Sequence, residues 1–318
     1  MASYHLSAKI IGRSDGRSVV AAAAYRAGVR IERAETGDCP DYTRKGGVVS
    51  ADLLTPDHAP EWAQDRAQLW NAVEAVETRK NSQLAREIEL ALPNELSDAE
   101  ARHLALTWAR DELVSRGMAA DVCIHNPEPV PGGSPNRHAH ILCTVRGFDG
   151  KGWAKTKDRS WNDKALLQGW RESWADAQND ALEAAGCADR VDHRSLEDQR
   201  QVALDAGDMV WADALDRPPE PVLGVAASAQ EKRARIMADR RGEEYRPVTA
   251  RGQALERSRG LRSILVNAWD RFRAAAHDIV MASARIEDPF GRLPASVEDP
   301  FSVAPEDPTE ETGTGPGF

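Results

Sequence analysis

Two short apolar stretches, Ala120 to His125 and Arg137 to Arg146, flank a run from Asn126 to Asn136 that is crowded with proline and glycine. Stretches of this length read as strands, and a Pro/Gly-rich joint between them reads as a hairpin loop. This antiparallel hairpin constrains the fold most, because it places three histidines at once. Residues two apart on a strand face the same way, so His138 and His140 stand side by side. His125 ends the first strand, and closing the hairpin brings it opposite that pair. Three imidazoles meeting on one face suit a divalent metal with open coordination positions. Cys123 shares the parity of His125, which leaves a His/Cys zinc site open beside the reading of Cys123 as a small buried hydrophobe.

The remaining pattern mixes strands and helices. Ser3 to Ile11 alternates, with Tyr4, Leu6, Ala8 and Ile10 on one face, as in a half-buried strand. Ser18 is placed to cap a short alanine-rich helix, Val19 to Ala27, that Gly28 stops. Leu84 to Leu92 alternates again, with Glu87 and Glu89 sharing a face and Pro93 ending the strand. Ser97 and Glu100 form a capping box for a helix reaching about Arg116, with Gly117 as its stop. Ser160 to Ala185 reads as a helix whose buried stripe is Leu166, Leu167, Trp170, Trp174 and Ala177. Beyond about Arg200 the pattern loosens, with short helices expected near 226–241 and 251–284.

The net charge of -10 argues superficially against a nucleic-acid partner. Most of it sits after residue 286, where Glu287, Asp288, Glu298, Asp299, Glu306, Asp307, Glu310 and Glu311 face Arg292 alone. Local patches therefore decide what the rest binds. That tail is rich in Pro, Gly and acids and reads as disordered. It repeats Glu-Asp-Pro at Glu287, Glu298 and Glu306, either a chance repeat in a solvating tail or a short docking motif. No apolar run reaches the ~20 residues of a membrane helix, and the start lacks the build of a signal peptide. The four cysteines form no CxxC pair, which fits reduced thiols in a cytoplasm.

Tyr25 is the candidate nucleophile. Its helix carries only small side chains from Ala21 to Ala24, so a backbone can approach closely. A phenol, with a pKa of ~10, loses its proton more easily than an aliphatic hydroxyl and forms a phosphotyrosyl ester. By itself a tyrosine in a helix is almost always there for packing, so the assignment needs support from elsewhere in the chain. Glu87 and Glu89, which share a strand face, are either two solvated acids or partners of the site. Trp153, Lys155, Lys157, Arg159 and Trp161 interleave cations with indoles. That suits single-stranded DNA, the cations on phosphates and the rings on bases, or else a loop whose tryptophans cap the core. Arg13, Arg17, Arg26, Arg30, Arg33, Arg44 and Lys45 extend the basic character.

The segment from Tyr4-His5-Leu6-Ser7 through Gly16-Arg17-Ser18 to Ala21-Ala22-Ala23-Ala24-Tyr25-Arg26-Ala27-Gly28 resembles the nucleophile motif of MobA/MobL-type conjugative relaxases, the MobQ class. Arg86 to Pro93 followed by Glu95-Leu96 is similar to their second motif. His125 with Asn136-Arg137-His138-Ala139-His140-Ile141-Leu142 is similar to their three-histidine metal motif. Trp170 to Trp174, Asn179, and Val191 to Ser195 resemble later landmarks, so the resemblance spans about residues 1–200 in order. It implies an α+β fold of the HUH type, a central antiparallel sheet flanked by helices, with a helical and disordered C-terminal extension. It also implies a metal-dependent single-strand endonuclease and transesterase. Such an enzyme nicks and rejoins DNA at a plasmid origin of transfer through a 5′-phosphotyrosyl intermediate on Tyr25. Mg²⁺ or Mn²⁺ would sit on His125, His138 and His140, with Glu87 and Glu89 assisting and Arg26 among the DNA contacts. Single-stranded origin DNA, type IV coupling or secretion components and accessory DNA-binding proteins are the implied partners, without membrane insertion.

The organisation expected is a nicking domain over 1–200, a helical extension over 201–286 and an acidic tail over 287–318. The long loop before His138 departs from the motif and bears on access to the metal. No G-x-x-x-x-G-K-[ST] loop is present, so no motor of its own is expected. A rolling-circle replication initiator would share the chemistry but usually places its tyrosine after the histidine pair. A noncatalytic DNA-binding protein with a structural metal would share the ligands alone.

Overall fold

A computed structural model of the chain describes residues 3–131 and 135–260. The chain divides into two units, Met1–Leu255 and Glu256–Phe318. The first holds every element below. Of the second only residues 256–260 are described, and they are helical. The rest of the helix expected over 251–284, and the acidic Glu-Asp-Pro tail, lie outside the described residues.

Five strands form one antiparallel sheet: β1 (Leu6–Gly12), β2 (Val48–Leu54), β3 (Gln83–Ala91), β4 (Ala120–His125) and β5 (His138–Thr144). Their order is β1-β3-β5-β4-β2, every neighbouring pair antiparallel. The expected α+β architecture around a central antiparallel sheet is therefore present. β3 lies inside the sheet and is covered on both faces, so it is buried almost throughout and its alternation of acid and hydrophobe does not mark a wet face.

Helices α1 (Val19–Ala27) and α2 (Arg66–Val76) pack on one side of the sheet. They close a core with Leu69, Trp70, Ala85 and Leu142. Helices α3 (Asp98–Glu112) and α4 (Lys164–Ala184) pack on the other, over Ile88, Leu90, Val122, Ile124, Ala139 and Ile141. The capping box of α3 forms as the sequence predicts, Ser97 accepting from the Glu100 amide and Glu100 from the Ser97 amide. The tryptophan stripe of α4 is fully buried. Helices α5 (Leu196–Asp205), α6 (Met209–Leu215) and α7 (Gly224–Arg241) follow, and residues 250–260 are helical as well. No helix among the described residues is long and apolar enough to cross a membrane.

Helix α1 is short but firmly held. Ser18 caps it by accepting from the Ala21 amide. The buried carboxylate of Glu74, from α2, accepts from the Ser18 hydroxyl and the amides of Val19 and Val20. An anion on the free amides of a helix N-terminus is favourable, and here it welds α1 to α2. Gly28 ends the helix in the left-handed region, φ 67°. A Cβ at Gly28 would also lie 3.1 Å from Val48 Cγ2, so a glycine lets α1 stop hard against β2.

A candidate metal centre beside Tyr25

Strand register builds the centre. His125 pairs directly with His138, and His140 sits opposite both Cys123 and Glu89. Residues directly opposite in a ladder share a face, so the three imidazoles converge as expected. Their ring centroids lie 5.0 to 5.4 Å apart. One nitrogen from each falls within 4.8 Å of the others.

The hydrogen bonds set the tautomers. His138 Nδ1 donates to the Asn136 carbonyl at 2.7 Å, and His140 Nδ1 donates to Glu87 Oε1 at 3.0 Å, so each turns Nε2 free as a lone pair. His125 Nε2 donates to the Arg26 carbonyl at 2.7 Å, which leaves the free lone pair on Nδ1. Burial, with the Lys45 charge adding to it and the Arg26 carbonyl opposing it, pushes the His125 pKa down to about 4. Burial likewise lowers that of His138. Neutral imidazoles with fixed tautomers are what a metal requires of its ligands, so this donor set fits a divalent ion.

Glu87 is only 9% exposed and is no solvated acid. Burial opposes its charge, but hydrogen bonds from His140 and Arg26 and the Arg26 charge outweigh that and bring its pKa down to about 2. Arg26 Nη2 lies 2.6 Å from the same Oε1 that accepts from His140. Glu89 instead reaches the exposed ammonium of Lys9 at 3.6 Å and remains partly exposed. Thus the paired acids that sequence left undivided are divided by geometry. Cys123 is buried, its thiol pushed up by burial and by the nearby Asp121 charge, and its Sγ approaches Asp121 at 3.6 Å. Among the described residues the group whose ligand atoms converge is the three histidines, without Cys123, so the His/Cys alternative is not supported.

Tyr25 lies on the last turn of α1 and is 48% exposed. Tyr42 meets its ring edge to face at 5.2 Å. Lys45 Nζ sits 3.8 Å from the ring centroid, 3.0 Å from the Tyr25 carbonyl and 3.4 Å from His125 Nε2. Tyr42 and Lys45 arrive on the loop after Gly28, which is stitched back by Tyr42 N to Val29 O and Ile31 N to Pro40 O. Sequence reading placed Lys45 only among general basic residues. Its spacing from Tyr25 carries no periodic signal.

The expected DNA-binding segment separates into two kinds of residue. Trp161 is 7% exposed and belongs to the core, where it cannot stack on a base. Lys157 is committed to Glu77 at 2.8 Å and to the Gln83 carbonyl at 2.7 Å. Trp153 stacks on Phe148 at 4.9 Å and meets Trp62 at 5.3 Å, leaving it half-buried. Arg26 is spent on Glu87. Lys155 and Arg159 remain exposed. Nearer α1, Arg13 and Arg33 are paired with acids, whereas Arg17 and Arg44 are exposed and have no ionic partner among the described residues.

On the same face of β4 as His125, four residues back along the strand, lies a buried network that the sequence did not signal. Asp121 accepts from Arg66 at 2.8 and 3.0 Å and from Trp70 Nε1 at 2.9 Å. It ties α2 to the start of β4.

Comparison with known proteins places these features in context. The model of the MobA/MobL family matches residues 17–207. Mobilization protein MobL of Acidithiobacillus ferridurans is 36% identical over 310 residues, covering 86% of this chain and 78% of that protein. Conjugal transfer protein TraA of Agrobacterium fabrum is 31% identical over 320 residues, 91% of this chain but 26% of that protein. The chain thus spans most of the one relative and about a quarter of the other. A solved structure described as "Molecular Basis of Vancomycin Resistance Transfer in Staphylococcus aureus" aligns with a TM-score of 0.57 at 36% identity, covering 61% of this chain and all of that one.

Proposed function

The chain belongs to the MobA/MobL family, and on that footing we propose that it nicks one DNA strand at an origin of transfer and holds the cut end as a phosphotyrosyl ester on Tyr25. The observation that carries this reading is the double link from Arg26 to the histidines. Its carbonyl accepts from His125 and its guanidinium holds the carboxylate that orients His140. The turn of α1 that bears Tyr25 is thereby fixed to the proposed metal centre. The names of the relatives, a mobilization protein and a conjugal transfer protein, support transfer of plasmid DNA as the setting.

In the proposed reaction the Tyr25 Oη attacks the scissile phosphorus and the bond to the 3′ oxygen breaks. The phenol proton leaves to solvent, to which the ring is open, and the departing 3′ oxygen takes up a proton. The 5′ phosphate stays on Tyr25, and because an ester replaces an ester, the 3′ hydroxyl can later attack it and reseal the strand. When bound on His125, His138 and His140, a divalent ion supplies Lewis-acid stabilisation of charge at the phosphate, undiminished by anionic ligands. Mg²⁺ and Mn²⁺ are the first ions to test. Glu87, with a pKa of about 2, is too weak a base to take the proton and acts by orienting His140. Lys155, Arg159, Arg17 and Arg44 are the cations we assign to the DNA backbone. These groups lie within the proposed nicking domain, residues 1–200, so the extension over 201–286 and the tail over 287–318 are assigned no chemistry. Type IV coupling or secretion components and accessory DNA-binding proteins are the partners that this role requires.

The test is nicking of supercoiled plasmid carrying an origin of transfer. The wild type should relax it with metal and not in excess EDTA, and Tyr25→Phe should bind the DNA without nicking it. Binding without nicking by the wild type would favour a noncatalytic DNA-binding protein.

A further inference from the structure

On the side of the sheet away from the histidines, α3 and α4 leave an open groove of about 800 Å³ between them. Its floor is apolar and shallow: Leu104 and Trp108 from α3, Ala177 and Ala181 from α4. Trp108 Nε1 donates to Ser173 Oγ at 3.0 Å and so pins the two helices at the floor. The walls carry acids at helical spacing: Glu100 and Asp111 on α3, Asp176 and Asp180 on α4. No lysine or arginine lines it. Asp111, Asp176 and Asp180 have no ionic partner among the described residues.

We propose that this groove is a docking site for a basic amphipathic helix of a protein partner. Three observations converge on that occupant. The lining residues recur every three or four positions over Ala99–Glu112 and Ser173–Ala184, about 18 Å of each helix at 1.5 Å per residue. That elongated shape matches about three turns of a third helix better than a compact small molecule. Small side chains on α4 let another helix axis come within the 8–10 Å of ordinary helix packing. The unpaired carboxylates complement lysines and arginines flanking an apolar stripe, the arrangement by which helices seat in grooves. Occupation of this face leaves the histidines and Tyr25 open, so a partner could hold the protein while DNA is engaged on the opposite side.

The test uses the full chain and, as the probe, a synthetic 16-residue lysine/leucine helix with leucines at i, i+3, i+4 and i+7, measured by fluorescence anisotropy across a salt series. Asp111→Lys with Asp180→Lys should weaken binding at least tenfold. Both positions lie near helix C-termini, where a cation is tolerated, and origin nicking should be unchanged. Glu197→Lys with Asp213→Lys makes the same change in net charge on exposed positions elsewhere and should alter binding less than twofold. Equal weakening by the two pairs would reduce the effect to net charge and overturn the proposal. So would absence of probe binding, or equal affinity for an uncharged helix of the same apolar pattern. Failure of nicking in the wild type would bear on the proposed chemistry and not on the groove.

Discussion

Arg26 Nη2 lies 2.6 Å from Glu87 Oε1, and that oxygen also accepts from His140. One buried carboxylate oxygen thus joins the helix of the proposed nucleophile to the proposed metal ligands. Glu87→Gln keeps the shape but loses the charge that both neighbours need. It should lower metal affinity and single-turnover cleavage by roughly 10–100-fold, the usual cost of removing a group that orients a ligand. Glu89→Gln should change either by far less, because Glu89 pairs with the exposed Lys9 and hydrogen-bonds no histidine among the described residues; its charge reaches His138 through space alone. Metal titrations of the two variants side by side check this, and an equal effect would contradict the division of roles.

Lys45 has two opposed duties. Its ammonium steadies the Tyr25 ring but stands 3.4 Å from a nitrogen of His125. Lys45→Met should therefore tighten metal binding while slowing cleavage by about 2- to 30-fold, the worth of a cation–π contact of ~0.5–2 kcal/mol. Calorimetry and single-turnover rates should move in opposite senses. Weaker metal binding would show that Lys45 supports the centre instead.

Most of the site was legible because strand parity and one hairpin are local rules. They placed His125, His138 and His140 together before any tertiary contact was known. The capped helix of Tyr25 followed from Ser18 and Gly28 in the same way. What was not legible depends on distant packing. β2 and α2 passed unrecognised, since Val48–Leu54 and Arg66–Val76 carry no alternation or stripe as sharp as those elsewhere. With them went the partners of Glu74, on the helix terminus, and of Asp121, at the start of β4. Composition alone could not divide Trp161, which fills the core, from Lys155 and Arg159, which stay in water.

That division has its own consequence. Trp161→Ala should cost about 3–5 kcal/mol of stability, as a buried aromatic does. Lys155→Ala with Arg159→Ala should leave stability alone, weaken single-stranded DNA binding and reduce the salt slope by about 0.7 per lost phosphate contact. Thermal melts and salt-dependent binding measure the two. An unchanged salt slope would remove these cations from the interface.

The metal-free protein should lose stability in acid in two stages. The folded chain holds the His125 pKa near 4, against about 6.5 unfolded. Between those values the unfolded state binds the extra proton, so stability is level above about pH 6.5 and falls as pH drops towards 4. The lowered His138 adds to the same stage. Glu87 holds its charge to about pH 2, so its contribution is full above about 4.3 and is lost below that, as pH falls through 2. Melting temperatures from pH 8 to 2 should follow this course, and His125→Gln should flatten the upper stage without moving the lower.

The central claim is that Tyr25 is the nucleophile. Incubating the protein with metal and an origin oligonucleotide, then digesting the denatured adduct for peptide mass spectrometry, tests it most directly. The account predicts a nucleotide bound through its 5′ phosphate to the peptide containing Tyr25, and no adduct from Tyr25→Phe. An adduct on Tyr42, whose ring packs against Tyr25, or one that persists in Tyr25→Phe, would contradict it.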